Sequence, residues 1–140
     1  IMVGPGTGIA PFRAFLQERM ATKAPGRNWL FFGHQRRDTD FFYEHELDAM
    51  KANGVLTRLS LAWSRDGDQK FYVQDRMRER AADLAALLAD TNAYFYVCGL
   101  KSMEEGVVLA LRDIAQGAGL DWDAVGTALK REGRLHLETY

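Results

Sequence analysis

The sequence predicts a doubly wound α/β fold: five parallel strands in the order 3-2-1-4-5, covered by helices on both faces, in three layers. Two observations predict it. Short apolar runs alternate with helix-like stretches along all 140 residues, the pattern of parallel strands joined by crossover helices. The first run opens into Gly4-Pro5-Gly6-Thr7-Gly8, a glycine turn ahead of a helix. Right-handed crossovers then wind the sheet outward from that strand in both directions.

Each element has its own signal. Ile1–Gly4 is a short branched run, which reads as a strand cut at its start and hence as the C-terminal part of a longer polypeptide. Trp29–Gly33, Leu56–Trp63, Tyr94–Cys98 and Arg134–Thr139 are rich in aromatic and branched residues, as strands are. Helices are expected over Pro11–Thr22, Phe42–Asn53, Val73–Ala89, Ser102–Ala118 and Trp122–Arg131. Pro11 suits a first helical turn, where a missing N–H costs nothing. Met77, Leu84, Leu87 and Leu88 fall at helical spacing, and Ser102 with Glu105 has the form of a capping box. Gly54 and Gly119 stand where helices stop. One domain spanning residues 1–140 accounts for the whole pattern, with no repeat or linker.

Composition narrows the function. A formal net charge of −1 argues against nucleic acid or an acidic membrane as partner. The apolar residues lie in runs far shorter than the roughly 18 needed to span a bilayer. The single cysteine, Cys98, permits neither an internal disulfide nor a cysteine metal cluster and fits a reducing, cytoplasmic setting. His34, His45 and His136 show no metal-ligand spacing with one another or with Cys98.

In a doubly wound sheet, ligands lie at the carboxyl ends of the strands, where the order reverses. The residues after each strand are informative there. Gly6, Thr7 and Gly8 belong to a turn whose glycines leave backbone N–H groups open to an anion, ahead of a positive helix end. The spacing is G-x-G-x-G, with Ile9 where a dinucleotide fingerprint carries its third glycine; a purely structural turn is the alternative. No acidic residue closes the second strand to grip a ribose hydroxyl. Arg36 and Arg37 follow it instead, suited to a phosphate or simply solvated. After the third strand, Ser64, Arg65 and Lys70 offer a hydroxyl, a planar fork and a mobile charge, and Tyr72 a face for adenine. Together with the glycine turn they suggest a nucleotide bearing an extra phosphate, as NADPH does.

Four motifs follow one another along the chain: G-P-G-T-G-I-A-P-F-R from Gly4, S-R-x-x-x-x-K-x-Y-V-Q from Ser64, Y-V-C-G-L-K-x-M-E from Tyr96 and L-E-T-Y from Leu137. In this order they resemble the NADP-binding domain of the ferredoxin–NADP reductase family, over nearly the whole chain and with a Rossmann-like fold. The G-L-K-S-M-E segment and the aromatic after the last strand look more like the plant-type branch than the cytochrome P450 reductase branch, and the whole is similar to the reductase component of benzoyl-CoA oxygenase. The resemblance implies that Gly6, Thr7 and Gly8 hold a pyrophosphate. It gives Ser64, Arg65, Lys70 and Tyr72 the 2′-phosphate and adenine, with Gln74 beside them; some relatives carry arginine where this chain has Lys70. Gly99, Leu100, Lys101 and Met103 would line the nucleotide beyond the fourth strand. Cys98 would lie beside the nicotinamide, Glu138 would complete that pocket, and Tyr140 would stack on the flavin.

Without the resemblance, Cys98 reads as a small core residue, Glu138 as an exposed strand residue and Tyr140 as a frayed end. The implied function is hydride transfer from NADPH to FAD, then single electrons to an iron–sulfur protein, a ferredoxin-like protein or an oxygenase component. FAD would be held mainly by a preceding domain of the same polypeptide, so this stretch alone is expected to bind nucleotide and catalyse little. A non-catalytic NADP(H)-binding or redox-sensing module is the alternative; it needs no nicotinamide pocket at Cys98, Glu138 and Tyr140. An unrelated Rossmann-like transferase would not need Arg65 and Lys70 together.

Overall fold

Branched and aromatic runs pair here into one parallel sheet. In the computed structural model, which describes all 140 residues, the strands are β1 (Met2–Val3), β2 (Trp29–His34), β3 (Arg58–Trp63), β4 (Phe95–Gly99) and β5 (Leu135–Thr139). Their order is β3-β2-β1-β4-β5, every neighbouring pair parallel. The predicted topology is the observed one.

Alternation along the strands divides the core into two layers. Met2, Leu30 and Phe32 face α1 (Ala10–Ala21) and α3 (Glu44–Ala52), where Phe12, Leu16, Leu47 and Met50 are buried with them. Val3, Phe31 and Val97 face the other way. They meet Val73 and Met77 of α4 (Val73–Glu79), Leu84 and Leu88 of α5 (Ala81–Leu88), Val107 and Leu111 of α6 (Lys101–Gly117), and Leu129 of α7 (Trp122–Arg131). Central strands buried on both faces explain why β2 reads as continuous apolar sequence. The edge strand β5 alternates half-buried and exposed residues, leaving His136 and Glu138 outside.

Three local expectations change. The helix expected over Val73–Ala89 is two helices, broken at Arg80, whose φ of −104° and ψ of 29° leave the helical region. The apolar spacing carries across the break because both pieces face one core, so the sequence reads as a single helix. Between β2 and α3 a short helix α2 (Arg37–Asp40) intervenes, and Phe41 and Phe42 fold inward against the first layer rather than starting α3. Tyr43 makes that corner in the left-handed region at φ 59°. Lastly, Ser102 does not cap α6, which starts one residue earlier behind Leu100 with no side-chain cap. The side-chain cap of this kind forms at α4, where the Tyr72 N–H donates to the Asp75 carboxylate at 2.9 Å.

Gly54 and Gly119 follow α3 and α6 with φ of 89° and 76°, ending those helices as expected. Arg134, expected in the last strand, lies just before it. There it is buried, donating to the carbonyls of Asp90 and Ala93 at 2.6 and 3.1 Å. No helix is long and apolar enough to cross a membrane.

Candidate functional site

Strand order reverses at β1, whose neighbours β2 and β4 carry the chain away in opposite directions. A cleft of about 410 Å³ opens at the carboxyl ends of these strands. Of the residues expected to bind nucleotide, Gly6, Ser64, Tyr72, Gln74, Leu100 and Met103 line it. Pro5, His34, Gln35, Phe71 and Ser102 line it as well, although the sequence reading gave them no role. His34 ends β2 and Gln35 follows it, and that position was the signal available to find them.

The glycines of the turn do different work. Gly6 has φ 59° and faces the open cleft, its nearest neighbour being the His34 ring. Gly8 instead lies against β4: a Cβ there would sit 2.1 Å from the Cys98 carbonyl oxygen. Its N–H donates to the Pro5 carbonyl at 3.1 Å, closing a 3₁₀ turn over Gly6–Ile9 that runs straight into α1. Thr7 is exposed between them, and its hydroxyl meets the Tyr140 hydroxyl at 2.5 Å.

The loop after β3 is tied to the end of β2. Ser64 N–H donates to the His34 carbonyl at 2.9 Å and Arg65 N–H to the Gln35 carbonyl at 2.8 Å. Arg65 and Lys70 are exposed beside the cleft-lining Ser64 and Phe71. Neither forms an ion pair, whereas eight other arginines do. An unpaired guanidinium and ammonium at one rim are available to an anion. Of the arginines after β2, Arg36 donates one N–H to the Arg65 carbonyl at 3.2 Å, and Arg37 pairs with Glu44 at 3.4 Å. Both side chains remain exposed. Tyr72 presents its ring at the rim, 43% exposed. Gln74 packs on α6 where Gly106 makes room, since a Cβ there would lie 2.9 Å from the Gln74 amide nitrogen.

Beyond β4, the remaining predicted residues gather next to the glycine turn. Cys98 and Glu138 are register partners across β4 and β5. Burial, and secondarily the Glu138 charge, pushes the Cys98 thiol above its ordinary pKa. The thiol is therefore a neutral packing group rather than a nucleophile. Gly99 has φ 149°, and a Cβ on it would strike the Met103 methyl at 2.8 Å. The Tyr140 N–H donates to the Gly99 carbonyl at 3.0 Å, and its own carbonyl accepts from Lys101 N–H at 2.9 Å. Tyr140 is thus held by its backbone while 64% exposed. Lys101 is not free, because its ammonium lies 3.3 Å from Glu104. Glu104 also accepts the Thr139 hydroxyl. That bond, with Lys101 adding to it, holds the Glu104 carboxyl below its usual range. No cluster of metal-ligating side chains exists.

A doubly wound sheet with a glycine turn after β1, and unpaired cations after β3, defines a dinucleotide-binding domain of the kind oxidoreductases use. The chain belongs to the oxidoreductase NAD-binding domain family, whose pattern fits residues 2–108. It is 48% identical over 145 aligned positions to the sulfite reductase (NADPH) flavoprotein alpha-component of Escherichia coli strain K12. The proteins of that name from strains CFT073 and HS match to the same degree. Each alignment covers 100% of this chain and 24% of the relative, so the chain spans about a quarter of the length of these proteins. The family match and these relatives bear out the ferredoxin–NADP reductase resemblance. The finer likeness to the benzoyl-CoA oxygenase reductase rests on the motifs alone.

Proposed function

We propose that this chain is the NADP(H)-binding domain of a flavin-dependent reductase, with NADPH as the reductant that it positions. The carrying observation is the pair Arg65 and Lys70, free of ion pairs beside Ser64 at the rim of a cleft floored by the Gly6 turn. The residues fit such a nucleotide. Gly6 keeps open the space that a side chain would fill, and Ser64, Arg65 and Lys70 supply donors for a 2′-phosphate. Tyr72 offers adenine a flat exposed face with Gln74 beside it. Gly6, Thr7 and Gly8 would hold the pyrophosphate, and Gly99, Leu100, Lys101 and Met103 the stretch beyond β4. Cys98 and Glu138 would border the nicotinamide, and the Tyr140 ring would lie on the flavin.

When bound, the nicotinamide supplies a hydride and FAD accepts it, to release electrons singly. This chain's part is alignment and exclusion of water. Cys98 contributes an uncharged surface, and Glu138 a carboxylate at the same end of the sheet. FAD would be held mainly by other parts of the polypeptide. The acceptor would be a one-electron partner such as an iron–sulfur protein or an oxygenase component. The likeness to sulfite reductase flavoproteins makes sulfite reduction the first activity to assay, in the reducing cytoplasmic setting that a lone cysteine suits.

Calorimetric titration of the full chain with NADP⁺ and NAD⁺ tests the reading. NADP⁺ binds more tightly, and Arg65→Ala weakens it by roughly tenfold to a hundredfold, the worth of a charge-assisted contact, while NAD⁺ affinity barely moves. Equal losses for the two nucleotides would overturn it.

A further inference from the structure

One polar side chain in the cleft is held on two sides and left unused by the nucleotide roles above. His34 ends β2 and lines the cleft. Its ring is fixed from two sides: Phe42 packs edge-on at 5.2 Å, and the Gln35 N–H donates to Nδ1 at 2.8 Å. The Asp40 carboxylate lies 3.4 Å from the same nitrogen, too far to displace that bond, and accepts the Arg36 N–H at 2.9 Å instead. A neutral imidazole that accepts at Nδ1 carries its hydrogen on Nε2. Nε2 forms no hydrogen bond within the protein. It lies beside the glycine turn: a Cβ built on Gly6 would lie 3.5 Å from Cδ2 and 3.8 Å from Nε2.

An N–H donor held in place, unpartnered and set beside a glycine turn is arranged for an anion, with little ordering left to do on binding. We propose that His34 is a further specificity-determining contact, its Nε2–H donating to the phosphate nearest the glycine turn, which in a dinucleotide is the 5′-diphosphate. The inference rests on the dinucleotide reading of this cleft. It assigns His34 a subsite separate from that of Arg65, which would hold the 2′-phosphate.

Three probes separate the subsites: NADP⁺, 2′,5′-ADP with both phosphates, and 2′-AMP with no 5′-phosphate. His34→Asn keeps an acceptor for the Gln35 N–H but is too short to reach the turn. In the full chain it weakens NADP⁺ and 2′,5′-ADP roughly tenfold, as loss of a hydrogen bond to a charged group does, and leaves 2′-AMP unchanged. His34→Gln, whose amide nitrogen reaches about as far as Nε2, recovers most of the loss. Arg65→Ala weakens all three probes. Nitrogen NMR of the unliganded protein finds the ring hydrogen on Nε2, a readout that needs neither ligand nor variant. A ring hydrogen on Nδ1 overturns the inference, and so does an equal loss for all three probes in His34→Asn. If Arg65→Ala weakens every probe while His34→Asn weakens none, this inference fails and the cleft reading stands. If the unaltered chain binds none of the probes, the cleft reading fails and this one with it.

Discussion

Gly6 and Gly8 sit two residues apart in one turn and are glycine for different reasons, a distinction the motif itself hides. Gly6 has a left-handed backbone and open space before it; Gly8 has no space at all, with the Cys98 carbonyl 2.1 Å from where its Cβ would be. Alanine at Gly6 bears the cost of the left-handed region, about 1–2 kcal/mol, and places a methyl where the phosphate is expected. Alanine at Gly8 drives a wedge between the 3₁₀ turn and β4, which are backbone on both sides. Overpacking typically costs 1–3 kcal/mol, and more is expected where neither side can yield. Urea unfolding should therefore show Gly8→Ala with much the lower midpoint, while Gly6→Ala stays folded and loses nucleotide affinity. Equal midpoints would mean that the turn gives way at Gly8. Residue types in the turn were legible in the sequence because glycine has few uses. The packing of Gly8 was not, since it depends on a strand 90 residues further along.

At the scale of elements, the strands were legible and the joints between helices were not. Strand runs carry their branched and aromatic residues in one place, whereas the break at Arg80 lies inside an unbroken apolar spacing. The start of α6 is a joint of another kind. Ser102 and Glu105 have the capping-box pattern, yet Glu104, one of the two residues between them, does the tying: it accepts the Thr139 hydroxyl from β5 and pairs with Lys101. These contacts lower its pKa in the folded state. A carboxyl lowered on folding contributes stability that is fully present above its unfolded value and lost as pH falls through its folded value. Glu104→Gln should therefore lower the melting temperature at neutral pH, where the charge is present in the unaltered protein. The gap should narrow as the medium is acidified below the usual carboxylate range. A gap that stays constant through that range would show that the hydrogen-bonding shape of the side chain matters and its charge does not.

At the scale of the whole molecule, the strand order and the position of the cleft were legible because alternation and handedness leave few topologies. The ion-pair map was not: nothing in the sequence tells that Arg37 pairs with Glu44 while Arg65 is left unpaired. Nor does the sequence of Tyr140 tell how it is held. Its backbone bonds to Gly99 and Lys101 set it across the carboxyl edge of β4, and its hydroxyl reaches Thr7 on the far side of the turn. The ring thus bridges the last strand and the first turn, next to the Cys98 and Glu138 pair. Hydride transfer requires nicotinamide and flavin with reacting atoms roughly 3–3.5 Å apart, and a ring lying on the flavin occupies the space that the nicotinamide needs. Aromatic stacking contributes about 0.5–1.5 kcal/mol beyond area burial, and one hydroxyl bond to Thr7 adds about 1 kcal/mol, so displacement is costly but attainable. In a flavin-loaded polypeptide that carries this domain, Tyr140→Ser should tighten nicotinamide binding and relax discrimination against NADH. Tyr140→Phe, which loses only the bond to Thr7, should shift both in the same direction and less far. Glu138→Ala should slow flavin reduction in stopped-flow traces while leaving the phosphate-held affinity nearly unchanged. If Tyr140→Ser alters neither affinity nor cofactor preference, the ring does not lie on the flavin, and its bond to Thr7 serves only to close the edge of the sheet.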